Sequence, residues 1–166
     1  MTEMEVPPSR PRASILSNSV FTLIETYSGF RSGWADPEGQ QIYLSPDASA
    51  CSIGSALIKA LEASRIFTLE NLPIITREQH AERYEAWVKD VIQRYGFKNR
   101  AAMFKAMKSV DADVYHQKLH LLPTKHEKRE AWGRSNSDKF EDVIISYPNQ
   151  ADAIGEAILL ALSRCR

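Results

Sequence analysis

The sequence predicts an α+β fold in one domain, a β-sheet packed with helices. Three observations predict it. Two distant segments share a strand, proline, turn and helix in the same order. The stretch between them carries apolar residues at helical spacing. Strands and helices are mixed, but their connections are too irregular for repeated βαβ units. A chain of 166 residues is the size of one domain, and its 43% apolar content supports one substantial core.

Residues 1–14 contain Pro7, Pro8 and Pro11 with little hydrophobic periodicity. They are expected to form a flexible tail, leaving 15–166 as the domain. Residues 21–26 (FTLIET) read as a first strand. The first copy of the repeated unit spans about 20–65. Its strand IYLSP at 42–46 is stopped by proline, and the turn DASACS at 47–52 suits a helix N-terminus. In the helix that follows, Ile53, Ala56, Leu57, Ala60 and Leu61 fall on a single face.

A helical insert is expected at about 76–109. Tyr84, Trp87, Val88, Val91, Ile92 and Tyr95 form an apolar stripe, with Gly96 as the C-terminal stop. A second, shorter helix is expected over 99–108, with Ala101, Phe104 and Met107 on one side. The second copy spans about 114–166. It opens with a strand over 114–122 that ends at Pro123, and continues with VIISYP at 143–148 and NQADA at 149–153. In its helix Ile154, Ala157, Ile158, Ala161 and Leu162 repeat the apolar places of the first copy. Gly54 and Gly155 stand beside the leading isoleucines of the two helices. A glycine inside a helix costs about 1 kcal/mol, so its presence in both copies implies a packing reason, here close approach to a sheet.

Composition and motifs exclude several functions. The 21 basic and 21 acidic residues balance, giving no global attraction to nucleic acid or to an anionic membrane. No run approaches the roughly 20 apolar residues of a membrane span. The N-terminus lacks the basic start and apolar block of a secretory signal, and Cys51 and Cys165 have no metal or redox spacing. These features point to a cytoplasmic protein. No phosphate loop, dinucleotide fingerprint or zinc-protease motif occurs. His116 and His120 would share a strand face with Lys118 between them, and an ammonium there argues against a metal. His126, Glu127 and Glu130 lie in an alternately charged run with no matching nucleophile. The expectation is therefore no enzyme, no cofactor and no small-molecule substrate.

Two local features could bind a partner. Between 94 and 108, Arg94, Lys98, Arg100, Lys105 and Lys108 are interleaved with Tyr95, Phe97 and Phe104, without an acidic residue. That segment supports an alternative function in nucleic-acid binding, although phosphate binding usually needs a wider basic surface. Upstream of the strands, Trp34 precedes the acidic turn DPEG at 36–39, and Trp132 precedes DKFED at 138–142. The tryptophans could equally be core or hinge residues, and the acids could simply solvate loops.

Several segments in order resemble immunity proteins of bacterial contact-dependent growth inhibition (CDI) systems. They are SPDAS at 45–49 through ASR at 63–65, RYEAWVK at 83–89, and RYGFK at 94–98 through Met107. PTKHEK at 123–128, AWG at 131–133 and the C-terminal stretch from Ile154 to Cys165 complete the set. The likeness runs from about Phe21 to the C-terminus. The N-terminal tail departs from it, and the turn Asn149-Gln150 is less acidic than usual. The resemblance implies a non-catalytic protein that binds, one to one, the C-terminal toxin domain of a large exoprotein, commonly a nuclease. An inhibitor of a cationic nuclease cleft can answer with carboxylates. On that basis Asp36, Glu38 and Asp47 in one copy, and Asp138, Glu141 and Asp142 in the other, are expected to line one rim of the molecule. Trp34 and Trp132 would serve as aromatic anchors.

Overall fold

Strict alternation along the central strands makes two unlike faces. In β1 (Arg12–Ser17), Ala13 and Ile15 point one way, and Arg12, Ser14 and Leu16 the other. In β2 (Thr22–Phe30), Ile24, Thr26 and Ser28 oppose Leu23, Glu25 and Tyr27. In β5 (Lys108–Tyr115), Val110 and Ala112 oppose Ser109, Asp111 and Asp113. The first face of each strand is apolar or buried, while the second is mixed and partly charged. This computed structural model describes residues 5–166.

The strands β3 (Ser32–Ala35), β4 (Gln41–Leu44), β6 (Lys118–Pro123) and β9 (Val143–Ser146) complete a seven-stranded sheet of order β3-β2-β1-β5-β6-β9. β4 pairs with the N-terminal half of β2, beside β3. Every strand pair is antiparallel. A small hairpin, β7 (Lys125–Lys128) with β8 (Ala131–Gly133), stands apart.

Helices α1 (Ala50–Glu62) and α4 (Ala151–Ser163) cover the apolar face. Ile53, Leu57 and Leu61 of α1, and Ile154, Ile158 and Ala161 of α4, join Ile15, Ile24, Val110 and Leu119 in one core. Ser49 caps α1 by accepting from the Ser52 amide at 3.1 Å. The expected packing reason for the two glycines is present, but its partner differs. A Cβ on Gly54 would overlap the carbonyl oxygen of Ala151, and one on Gly155 that of Ala50. Each glycine therefore lets the other helix approach, rather than the sheet.

The second face is only partly covered. The C-terminal half of α2 (Arg77–Tyr95) packs Val88 and Val91 against Phe21 and Leu23, together with Met103 and Phe104 of α3 (Arg100–Phe104). A capping box at Thr76 starts α2, and Gly96 ends it in the left-handed conformation at φ 69°. The N-terminal half of α2 contributes nothing to that core. It overhangs the polar part of the sheet.

Three expectations need correction. β1 begins at Arg12, so residues 12–14 belong to the centre of the sheet and not to a tail. The preceding segment is also tied down: the Arg31 amide donates to Pro8 O at 2.6 Å, and Ser9 Oγ to Gly29 O at 3.2 Å. Residues 1–4 of the expected tail lie outside the described residues. The strand expected over 114–122 is instead the junction of β5 and β6, joined by a tight turn at His116 and Gln117, both with positive φ. Such a turn normally declares itself by Asn-Gly or Asp-Gly, and neither is present. The short helix is confined to Arg100–Phe104. The two copies are also longer than expected, since β1-β2-β4-α1 and β5-β6-β9-α4 run in the same order around neighbours β1 and β5.

Candidate binding cleft

The overhang of α2 leaves a cleft of about 710 Å3 above the polar face of the sheet. Its floor is Ser14 and Leu16 of β1, Glu25 and Tyr27 of β2, and Ser109 and Asp111 of β5. One wall is His80, Arg83, Tyr84 and Trp87 of α2; the other is Trp132 with Glu130. Ala35, Pro37 and Gln41 form a lip.

The walls are held by specific bonds. Trp132 Nε1 donates to Met107 O at 2.8 Å, and its ring stacks on His126 at 4.7 Å. Trp87 Nε1 donates to Tyr43 Oη at 3.1 Å. Tyr84 Oη donates to Glu130 at 2.8 Å, while Arg100 grips both oxygens of Glu130 at 2.8 and 2.6 Å and reaches Glu85 at 2.7 Å. This charged clamp joins α2, α3 and the β7–β8 turn into one frame.

The floor is electrostatically unsatisfied. Burial pushes the Glu25 carboxyl up to about 7. Asp111 is raised too, by burial first and then by neighbouring Asp113, with Arg134 opposing. Tyr27 is raised by its burial and by these two carboxylates. Among the described residues neither Glu25 nor Asp111 has an ion-pair partner. Asp111 is reached by solvent although protein surrounds it, as fits a group at the bottom of an open cleft.

The residues named from sequence are scattered about this site. Asp36 is fully buried: it accepts from Arg65 at 2.7 and 3.0 Å, from Ser28 Oγ at 2.6 Å and from the Glu38 amide at 3.0 Å. Burial alone would raise its pKa, but these donors hold the carboxyl below its ordinary value. It is a structural group with no access to a partner. Glu38 is exposed and ion-paired to Arg65 at 2.5 Å. Trp34 stacks on Phe67 at 5.8 Å, and its neighbours Ala35 and Pro37 supply the lip. Trp132 lines the cleft itself. Asp47 is exposed and bonded to Ser45. Asp138 caps a turn through the Ser135 amide at 2.6 Å, Asp142 pairs with Arg134, and Glu141 pairs with Arg164 at 3.6 Å.

The two acidic loops do not share a rim. They precede β4 and β9, which sit at opposite edges of the order β4-β2-β1-β5-β6-β9. Each neighbour in that order is antiparallel, so β4 and β9 run in opposite directions and begin at opposite ends of the sheet. Sequence reasoning missed the floor residues Ser14, Glu25 and Asp111. An alternating pattern of charged and apolar residues over 109–114 was the available signal for Asp111.

The fold also places the histidines and the basic segment. His116 lies in the turn, away from the strand face, and His120 stacks on Tyr115 at 3.8 Å. In the basic segment Arg94 pairs with Asp90 at 3.2 Å and lies over the Tyr43 ring, and Arg100 is spent on Glu85 and Glu130. α3 is only 5 residues long, and Lys98, Lys105 and Lys108 make no ion pair among the described residues.

A concave site with aromatic walls and an unpaired acidic floor defines a class, that of a ligand- or partner-binding cleft. Comparisons with known proteins specify the class. The family model described as "CDI immunity protein" matches residues 11–165, and the chain belongs to that family. It is 37% identical to the immunity protein CdiI-YPIII of Yersinia pseudotuberculosis serotype O:3, over 93% of this chain and 94% of the relative. It is similar to a chain in the solved CdiA-CT/CdiI toxin and immunity complex from Yersinia pseudotuberculosis, with TM-score 0.85 and 36% identity, covering 93% of this chain and 97% of that one. It also resembles a solved protein of unknown function, NMB0488 from Neisseria meningitidis, with TM-score 0.87 and 33% identity over 99% and 100% of the two chains.

Proposed function

We propose that this chain neutralises a CdiA-CT toxin by taking a segment of the toxin into the cleft between the sheet and α2. The observation that carries this is the cleft itself, a concavity of about 710 Å3 with aromatic walls and two carboxylates that have no ion-pair partner among the described residues. Leaving such groups unpaired is costly for a monomer and favourable for a cationic partner. Family membership and the likeness to a chain of a toxin and immunity complex support the same reading.

The toxin is a nuclease, held one to one in the cytoplasm of the producing cell. A nuclease must present cations to a phosphate backbone, and those cations suit an acidic receptor. The loop at 34–38 contributes as the lip of the cleft, with Glu38 at its exposed tip; the loop at 138–142 lies outside the contact. No catalytic step by this chain is involved. Among the described residues no helix is long and apolar enough to cross a membrane, and no group of acidic, histidine or cysteine side chains is arranged to hold a metal.

Titrating the nuclease activity of the purified cognate CdiA-CT domain with this chain tests the proposal. Activity should vanish at one equivalent. Full activity at a large excess of the chain would refute it.

A further inference from the structure

The floor of the cleft has an order that only the strand register reveals. Ser14 on β1 lies directly opposite Glu25 on β2 and directly opposite Asp111 on β5. All three side chains line the cleft. They form a transverse row of carboxyl, hydroxyl, carboxyl, with each opposed pair about 5 Å apart at Cβ. The two acids thus flank a small residue on the cleft face of the sheet.

The adjacent row supplies a comparison from within the same protein. Two residues along each strand, Arg12 lies opposite Tyr27 and opposite Asp113. There the central residue is itself a cation, 9% exposed, and Arg10 adds a second at 2.8 Å from Asp113. That row carries its own cations, Arg12 within it and Arg10 bound to its acid. The row of Glu25, Ser14 and Asp111 has the same flanking geometry, two acids instead of one, and a serine where the cation stands. Ser14 is 5% exposed and lines the cleft.

We propose that this row is a receptor for one cationic side chain, a lysine or arginine of the toxin, seated over Ser14 between Glu25 and Asp111. The inference rests on the cleft reading above and names the chemistry of the toxin contact. The aromatic residues Tyr84, Trp87 and Trp132 line the approach. The other titratable or charged groups facing Glu25 are Tyr27 on its own strand, Tyr43 on β4, Asp111 on β5, His80, Arg83 and Tyr84 on α2, and Glu130 on the β7–β8 turn. Glu130 is already held by Arg100. Arg83 lines the same cleft but forms no ion pair with Glu25 or Asp111 among the described residues, so both acids of the row stay without a partner.

The test is calorimetric titration of the intact chain with the cognate CdiA-CT domain between pH 6 and pH 8, in two buffers of different ionisation enthalpy. With Glu25 at about 7, seating a cation at pH 6 must release a proton, and affinity should rise about tenfold from pH 6 to pH 8. Glu25→Gln should flatten that profile and weaken binding at pH 8 by at least tenfold, and Asp111→Asn should weaken binding comparably. Ser14→Lys supplies the cation from within, as Arg12 does next door. It should abolish toxin binding while lowering the Glu25 carboxyl titration seen by NMR, a readout that a folding defect would not produce.

The outcomes separate the two readings. If Ser14→Trp, which fills the cleft, abolishes binding while Glu25→Gln and Asp111→Asn bind like the parent without pH dependence, the cation seat is wrong and the cleft reading stands. If a folded Ser14→Trp binds as tightly as the parent, both are wrong.

Discussion

Replacing Glu25 by glutamine should make the fold more stable, and more so in neutral or alkaline solution than in acid. In the folded chain burial raises this carboxyl from 4.5 to about 7. A raised carboxylate means that the folded state holds its proton more tightly than the unfolded state. Stability then falls as pH climbs from the unfolded value through the folded one, and levels off above it. The shift is about 2.5 units, and at 1.36 kcal/mol per unit the full penalty is about 3.4 kcal/mol. Solvent in the open cleft reduces this to about 2 kcal/mol. Glutamine keeps the shape and carries no charge, so Glu25→Gln should gain about 2 kcal/mol at pH 8 and close to nothing at pH 4.5. For a chain of this size that corresponds to about 4–8 °C in Tm. Urea unfolding of both proteins at the two pH values measures it directly. An equal difference at both values, or destabilisation at pH 8, would refute the reasoning. A gain in stability combined with a loss of toxin affinity is the pattern expected of a residue kept for binding.

Other perturbations follow from the same geometry. Gly54→Ala or Gly155→Ala drives a methyl group into a carbonyl oxygen of the facing helix, and despite better helix propensity each should cost about 2–4 kcal/mol in thermal melts. A melt unchanged in both variants would mean that α1 and α4 are not in close contact. Arg65→Ala strips the fully buried Asp36 of its guanidinium and should cost about 3 kcal/mol by urea unfolding. Because Asp36 is held below its ordinary value, the stability it contributes is present near neutral pH and is lost as pH falls toward and below 4, where Arg65→Ala and the parent should converge. Arg100→Ala releases Glu130 and Glu85 together, so hydrogen exchange should quicken in the β7–β8 turn and at the N-terminal half of α2 while the α1–α4 layer is unaffected.

The helical layers were readable in the chain because helical spacing is local. The apolar places of α1 and α4, and the stripe of α2 closed by Gly96, each lie within one segment. The sheet was less readable where local chemistry misleads. Three prolines precede β1 and disguise the central strand, although the alternation of Ala13 and Ile15 with Arg12 and Ser14 is present. The β5–β6 turn uses His116 and Gln117 at positive φ, so no glycine marks it. The family resemblance carried the functional expectation further than any motif did. The site itself was hidden, because Glu25, Ser14 and Asp111 meet only through the register of three strands. Conversely, the acidic loops look equivalent along the chain, and only the strand order shows that they face opposite ends of the sheet. Asp36 looked like a surface acid because nothing local announces Arg65 as its partner.

The most direct test of where the toxin binds is hydrogen exchange on this chain with and without the cognate CdiA-CT domain. Slowed exchange is expected at 80–87 in α2, at 130–132 and along the lip at 35–41, with no change at 138–142. Protection at 138–142 without any in α2 would contradict it, and would move the toxin to the far end of the sheet.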